Sequence, residues 1–253
     1  MSKILSVAFQ GEKGAFSEMA ALNFFKQSAK PRPFNDFESV FKAVKKSHCK
    51  YGIVPIENSL AGSVHQNYDL LLKYNLKIIG ETQIPIQHNL IGHPDIPMHY
   101  IREIHSHPQA LAQCSIFLNK LNKIKIIPAY DTAGAVKEIK EKGLLHAAAI
   151  AGRMAATIHK MKILKTGIEN IKRNYTRFLI LSRTEKQLNG FKPKTSIVFS
   201  LKNRPGALYE GLAFFARQKI DLLKIESRPQ PESTWCYLFY LDFFGHYKDD
   251  ACR

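Results

Sequence analysis

Asn174-Tyr175-Thr176-Arg177-Phe178-Leu179-Ile180-Leu181 begins with four polar or amphipathic residues and ends with four apolar ones. An unbroken apolar run has no alternating wet face, so it reads as a strand buried on both sides. Thr176 and Arg177 would then sit at the mouth of a rigid element. Arg supplies a fork of donors for a carboxylate and Thr a short, stiff hydroxyl, a combination suited to a small anion. A plain strand end with a solvated Arg explains the same residues.

Working outward, strand and helix patterns alternate. Residues 4–9 read as a strand, and the turn Gly11-Glu12-Lys13-Gly14 leads into a helix from about Ala15 to Lys26. Asn35 with Glu38 predicts a capping box, opening a helix with Phe37, Val40, Phe41 and Val44 on one face. Tyr51–Val54 is a short strand ending at Pro55, and Val64, Tyr68, Leu71 and Leu72 form another helical stripe. Two strands follow, at 76–80 and 83–91. Then come a helix carrying Leu111, Cys114, Leu118 and Leu121, a strand at 125–128, a helix capped by Asp131-Thr132, and the small-residue run Ala147–Ala151.

This alternation predicts an α/β fold with parallel sheets, whose ligands lie beyond the carboxyl ends of the strands. The polar clusters 10–17, 55–63, 106–109 and 131–134 fall there. Residues 183–194 have linker composition. Beyond them a strand (195–201), a helix (207–219) and two strands (221–227, 235–244) make a βαββ unit.

The 253 residues suffice for one or two domains. The formal charge of +16 is spread along the chain and not massed in one helix or tail. That argues against nucleic acid as the partner. It leaves a polyanionic small substrate or lysines on solvated faces, the second accounting for most of the charge. No apolar stretch reaches 18 residues, so no spanning helix is expected. The first residues are too short and wrongly flanked for a signal peptide. Cys49, Cys114, Cys236 and Cys252 are scattered and read as reduced thiols of a cytoplasmic protein. His105 and His107 lack zinc-ligand spacing, and no metal is expected.

Each polar loop has an ordinary structural reading. Gln10–Ser17 places glycines at a helix start, where backbone N–H groups can hold an anion, but a turn and cap explain it. In Val54–Val64, Ser59 or Ser63 would cap a helix. Ser106-His107-Pro108-Gln109 is a helix start with Pro at its first position. Asp131-Thr132-Ala133-Gly134 is a cap.

In this order, however, the loops resemble one family. Gln-Gly-Glu-x-Gly-Ala-Phe-Ser (10–17), Val-Pro-Ile-Glu-Asn-Ser (54–59), Ser-His-Pro-Gln-Ala-Leu-Ala-Gln-Cys (106–114), Asp-Thr-Ala-Gly-Ala (131–135) and Asn-x-Thr-Arg-Phe (174–178) match motifs of the prephenate dehydratases, to which the arogenate dehydratases are related. The chain resembles the monofunctional type with a C-terminal ACT domain. His159 and Leu223 depart from the family pattern.

The resemblance implies a two-lobed, periplasmic-binding-protein-like catalytic region over 1–182. Lobe one would be about 1–80 plus 165–182 and lobe two about 81–164. After the linker 183–194, a ferredoxin-like ACT domain at 195–253 looks truncated. The implied reaction is decarboxylating dehydration of prephenate to phenylpyruvate, without cofactor or metal; the alternatives are arogenate as substrate or a non-catalytic cleft that binds an aromatic metabolite. Thr176 would donate to the departing hydroxyl. Gly11, Gly14, Ala15, Asn58, Ser59, Ser106, Gln109 and Thr132 would line the substrate, Arg177 would bind a carboxylate or fix the strand end, and Phe178 would pack beneath. Gly206, Ala207, Leu208, Glu226, Ser227, Arg228 and Pro229 match phenylalanine-sensing segments. Implied partners are a dicarboxylate substrate, L-phenylalanine and a second copy or more of the chain, as a homodimer or homotetramer; neither nucleic acid nor membrane is expected.

Overall fold

The computed structural model describes residues 4–185, 192–230 and 236–252. The chain divides into two compact units, Met1–Gln187 and Leu188–Arg253. The expected linker, 183–194, lies partly outside the described residues.

The first unit runs β1 (Leu5–Gln10), α1 (Phe16–Phe25), β2 (Ala29–Phe34), α2 (Phe37–Lys45), β3 (Tyr51–Asn58), β4 (Gly62–Ser63), α3 (His65–Tyr74) and β5 (Lys77–Pro85). It continues through β6 (Asn89–Gly92), β7 (Glu103–Ser106), α4 (Pro108–Gln113), α5 (Ser115–Leu118), β8 (Lys125–Pro128), α6 (Thr132–Glu141), β9 (Ala147–Ala151), α7 (Arg153–His159) and β10 (Lys162–Lys165), and returns as β11 (Tyr175–Ser182). One sheet has the order β2-β1-β3-β11-β5 with β4 beside β3, and the other β10-β6-β9-β7-β8. The architecture is therefore the expected α/β arrangement in two lobes, but the sheets are mixed and not parallel, because β11 runs antiparallel to β3 and β5, and β6 to β9 and β10.

The lobe boundary differs from expectation. Strand β5 belongs wholly to the first sheet, paired with β11 from Tyr175↔Pro85 to Ser182↔Lys77. The chain therefore crosses over at 86–88, not at 80, and what was read as two strands at 76–80 and 83–91 is β5 followed by β6. Strand β2 was not foreseen because Pro31 and Pro33 break the usual strand pattern. It is the sheet edge, the place where a missing N–H is tolerated. The helix expected through Cys114 is broken into α4 and α5. Asn170 of the return crossover donates its N–H to Gln113 O at 2.7 Å, and its Oδ1 accepts from Ile116 N at 3.0 Å, replacing helical bonds with crossover ones.

Capping also differs. Helix α2 is capped by Asp36, whose Oδ1 accepts from Ser39 N at 2.7 Å, not by Asn35. Glu38 turns instead to Lys73 and Tyr74. Neither Ser59 nor Ser63 caps α3, which has no side-chain cap, and Ser63 pairs with Glu57 in the β3–β4 bridge.

The run Ala147–Ala151 is a central strand with every residue buried. Alternate residues feed two clusters: Ala147, Ala149 and Ala151 pack with Val136 and Ile139, Ala148 and Ile150 with Ala110 and Leu111. The first cluster also holds Phe9, Ile53, Phe178 and Ile180 of the other sheet, so the two lobes share buried apolar packing.

The second unit contains β12 (Lys194–Ser200), α8 (Ala207–Arg217), β13 (Leu222–Pro229) and β14 (Tyr237–Phe244), an antiparallel sheet of order β12-β14-β13. Phe215 of α8 meets Phe243 with ring centroids 5.4 Å apart. This is the βαββ order read from the sequence.

Candidate active site

Strands β3 and β11 run antiparallel, which brings the carboxyl end of β3 beside the start of β11. Thr176 is the register partner of Asn58, and Arg177 that of Glu57. The register then slips, Phe178 pairing with Pro55. A bulge is where a strand tolerates a residue without an N–H. On β11, side chains alternate. Thr176, Phe178 and Ile180 face the shared core, while Arg177 faces the opposite side.

A buried amide network surrounds Thr176. The Asn58 amide Nδ2 donates to Thr176 Oγ1 at 2.9 Å and to Asn174 Oδ1 at 2.7 Å. Asn58 is itself oriented, because its Oδ1 accepts from Leu60 N and Ala61 N at 3.0 and 2.9 Å. Asn174 donates onward to Gln113 Oε1 at 3.0 Å, and that oxygen also faces His88 Nε2 at 2.9 Å. Thr176 is 8% exposed, Asn58 7% and Asn174 fully buried. Since Thr176 Oγ1 accepts from Asn58, its own hydrogen is left for another acceptor.

Ser59 lies beside this network, accepting from Tyr175 N at 2.9 Å, and Ser106 is buried with its hydroxyl donating to Ile150 O at 2.6 Å. Gln109 is exposed at the start of α4, while Gln113, one turn on, reaches Asn174. Phe178 is buried two residues after Thr176 on the same face.

The glycine turn and the Asp131 segment come together across the lobes. Asp131 caps α6 through Gly134 N and accepts from Glu12 N, both at 3.1 Å. Burial raises its pKa, and the N–H donors of Glu12, Gly134 and Thr132 oppose the rise. Thr132, next to this cap, opens α6. Glu12 also binds Lys137 Nζ at 3.1 Å and Tyr130 OH at 3.0 Å. Several donors expected to hold an anion already have protein acceptors: Gly11 N with Phe34 O, Gly14 N with Glu18 Oε2, Ala15 N with Glu12 O.

Of the two roles expected of Arg177, its contacts are those that fix the strand end. Its Nε donates to Glu81 Oε2 at 2.7 Å, and its guanidinium lies 3.8 Å from Glu57 Oε2. It ties β11 to both neighbouring strands on the face away from Thr176. Cys114 adjoins Gln113, but burial pushes its thiol up to about 12, which keeps it protonated. A cavity of about 450 Å³ lined by Ser6, Tyr51, Ser182 and Arg183 opens at the far ends of β1, β3 and β11. It is remote from Thr176.

Asn174, Gln113 and His88 were not singled out from sequence. The first two lie inside quoted motifs and carried a readable signal. His88 lies in the apolar-flanked crossover and carried none.

In the second unit, Gly206 has φ +83° and starts α8. The carboxyl ends of β12 and β13 both pair with the start of β14, through Ser200↔Leu238 and Pro229↔Tyr237. The topology thus brings Gly206–Leu208 and Glu226–Pro229 to the same end of the sheet.

The sequence profile of the family described as "Prephenate dehydratase" matches residues 7–186. The chain belongs to the prephenate dehydratase family. It is 41% identical to the Arabidopsis thaliana protein named "Arogenate dehydratase/prephenate dehydratase 2, chloroplastic", over 98% of this chain and 67% of that one. The chain thus spans about two thirds of this relative's length. Among solved structures, the prephenate dehydratase of Arthrobacter aurescens in complex with L-Phe is 29% identical with a TM-score of 0.89, covering 98% of this chain and 83% of that one. A structure described as "GqqA- a novel type of quorum quenching acylases" is 31% identical with a TM-score of 0.87, covering 98% and 90%. The family acts in phenylalanine biosynthesis. Among the described residues no helix is long and apolar enough to cross a membrane.

Proposed function

We propose that this prephenate dehydratase family member removes water and carbon dioxide from prephenate to give phenylpyruvate. Aromatisation of the ring supplies the driving force. The protein's part is to hold the diacid and to supply a hydrogen bond that strengthens as charge grows on the departing oxygen. The polarity of the network at Thr176 carries this reading. Asn58 donates to Thr176 Oγ1, so the threonine hydrogen is left for the leaving hydroxyl. Thr176 is a donor here, since a threonine hydroxyl is a poor acid in water. Because Thr176 is almost buried, a ring-sized substrate reaches it by parting of the lobes. Ser59, Ser106, Gln109, Thr132 and the Gly11–Ala15 turn remain the proposed lining of that opened cleft, and Arg177 is assigned to holding the sheet.

The test is ultraviolet detection of phenylpyruvate from prephenate by the purified chain; absence of product rejects the reading. Arogenate is a second candidate substrate, favoured by the name of the 41% identical relative, and side-by-side kcat/KM values decide. Acylase chemistry has less support. It needs an activated nucleophile, and the partner of Thr176 Oγ1 is an amide N–H, not a base.

The L-Phe complex of the Arthrobacter aurescens protein supports L-phenylalanine as an effector, with Gly206, Ala207, Leu208, Glu226, Ser227, Arg228 and Pro229 as its proposed ACT-domain contacts. Inhibition of the reaction by added L-phenylalanine tests this.

A further inference from the structure

His88 lies in the crossover between β5 and β6, with its ring 5.8 Å from that of Phe16 at 84°. It is 2% exposed. Its backbone is held from both directions: its N–H donates to Glu169 Oε2 at 3.0 Å, and its carbonyl accepts from Ile168 N at 3.0 Å. Both partners belong to the return crossover. The imidazole therefore occupies a fixed position where the two connections between the lobes run side by side.

The hydrogen placement on this ring is determined by its neighbours. Gln113 Oε1 accepts from Asn174 Nδ2 and can only accept from His88 as well. Hence Nε2 carries the hydrogen and Nδ1 is bare. Consistently, Nδ1 is buried without a hydrogen-bond partner among the described residues. The links converge on Gln113 Oε1 and diverge from the Asn58 amide. His88 and Asn174 donate to Gln113, Asn58 donates to Asn174, and Asn58 donates to Thr176. If Gln113 turned its amide over, its NH2 would face two donors, one of them the Asn174 NH2 whose direction Asn58 already sets, and the bond between α4 and Asn174 would be lost.

Resting on the dehydratase reading, we infer that His88 is a positioning residue, whose Nε2–H locks the Gln113 amide with its oxygen on Asn174 and so keeps the Asn174–Asn58–Thr176 cluster tied to α4. The network joins a helix of one lobe to a strand pair of the other, so the same bonds align the reacting hydroxyl with the lobe-two wall.

The test exploits the geometry of amide substitutes. A Gln side chain places an N–H near the imidazole Nε2 position, whereas Asn places one near Nδ1. In H88Q, kcat for prephenate is expected within a few-fold of the unsubstituted chain. In H88N it is expected to fall about 10²-fold with KM little changed, the scale of a misplaced catalytic group. A packing role would not rank the amides this way, and equal activity of H88Q and H88N, high or low, overturns the assignment. Should H88N fail to fold, long-range 1H–15N spectra of the unsubstituted chain decide, since a hydrogen on Nδ1 and none on Nε2 overturns it. If the unsubstituted chain makes no phenylpyruvate, the dehydratase reading fails and this role with it. If that chain is active and H88N matches it, only the role of His88 is lost.

Discussion

Asn58 and Thr176 are register partners at the junction of β3 and β11, and a single amide nitrogen of Asn58 serves Thr176 Oγ1, Asn174 Oδ1 and the Tyr175 carbonyl at 2.9, 2.7 and 3.1 Å. The NH2 group has two hydrogens to share among three oxygens and no acceptor of its own, so Thr176 Oγ1 can only accept from it. This sets the direction in which Thr176 can act. Substituting Thr176→Val keeps the shape and removes the donor. We expect phenylpyruvate formation to fall by about 10²–10⁴-fold, with Thr176→Ser retaining part of the rate. Near-full turnover by the Val variant would remove Thr176 from the mechanism.

Asn58→Asp tests the polarity separately from the presence of the hydroxyl. The carboxylate is nearly isosteric but cannot donate, so the Thr176 hydrogen would turn towards it and away from substrate. The expected outcome is a kcat loss of about 10²-fold or more, comparable with removing one oxyanion donor, although Thr176 is intact. Steady-state kinetics of N58D beside T176V check this. An active N58D would show that the hydroxyl needs no such orientation.

Gly14 reports on the seam between the lobes. It has φ +93°, and a Cβ added there would lie 2.6 Å from the Ala155 Cα of α7. Gly14→Ala therefore meets backbone, not a flexible side chain, in a conformation that L-residues rarely adopt. We expect a loss of about 2–4 kcal/mol, within the range of strain and overpacking. Denaturant midpoints compared with Gly143→Ala supply the measure. Gly143 also has positive φ, but nothing lies within 4 Å of its added Cβ. Equal effects at both positions would show that backbone strain, not the seam, dominates.

Arg177 should affect stability more than chemistry. Its side chain is 15% exposed and sits between Glu81 and Glu57 on the face opposite Thr176. Arg177→Met leaves two carboxylates without that cation, an effect of about 1–3 kcal/mol for a partly buried pair. KM for prephenate should remain within a few-fold. A large rise in KM with unchanged stability would return Arg177 to carboxylate binding.

How far these features were legible depends on the range over which each acts. Thr176 and Asn58 could be placed at strand ends because the residues flanking them are local strand and turn signals, and their candidate roles came from the family motifs that contain them. The α/β alternation followed from periodicity for the same reason, whereas its division into two lobes was implied by the family resemblance. Strand β2 was hidden because Pro31 and Pro33 depress strand propensity, and only its place at the sheet edge makes them harmless. The break between α4 and α5 was invisible because Asn170, 54 residues from Ile116, takes over the hydrogen bond there. The partners of Arg177 were missed on similar grounds, since strand register rather than local pattern brings Glu57 and Glu81 to it. His88 carries no sequence signal because its importance lies in which atom of Gln113 it faces.

Burial also gives His88 a stability signature that kinetics alone would not reveal. Desolvation lowers its pKa from the ordinary 6.5, more than offsetting the bond to Gln113 and the field of Glu169. The native state then refuses a proton that the unfolded chain accepts. Its contribution is complete above about pH 6.5 and shrinks as pH falls below that value, until the native pKa is reached. The slope attributable to this one group is at most about 1.4 kcal/mol per pH unit. Urea midpoints at about pH 8 and about pH 5.5 should therefore separate more for the unsubstituted chain than for H88Q, which has no group to protonate at that position. Equal separation in the two proteins would mean that the imidazole titrates alike folded and unfolded, and is not held neutral in the network.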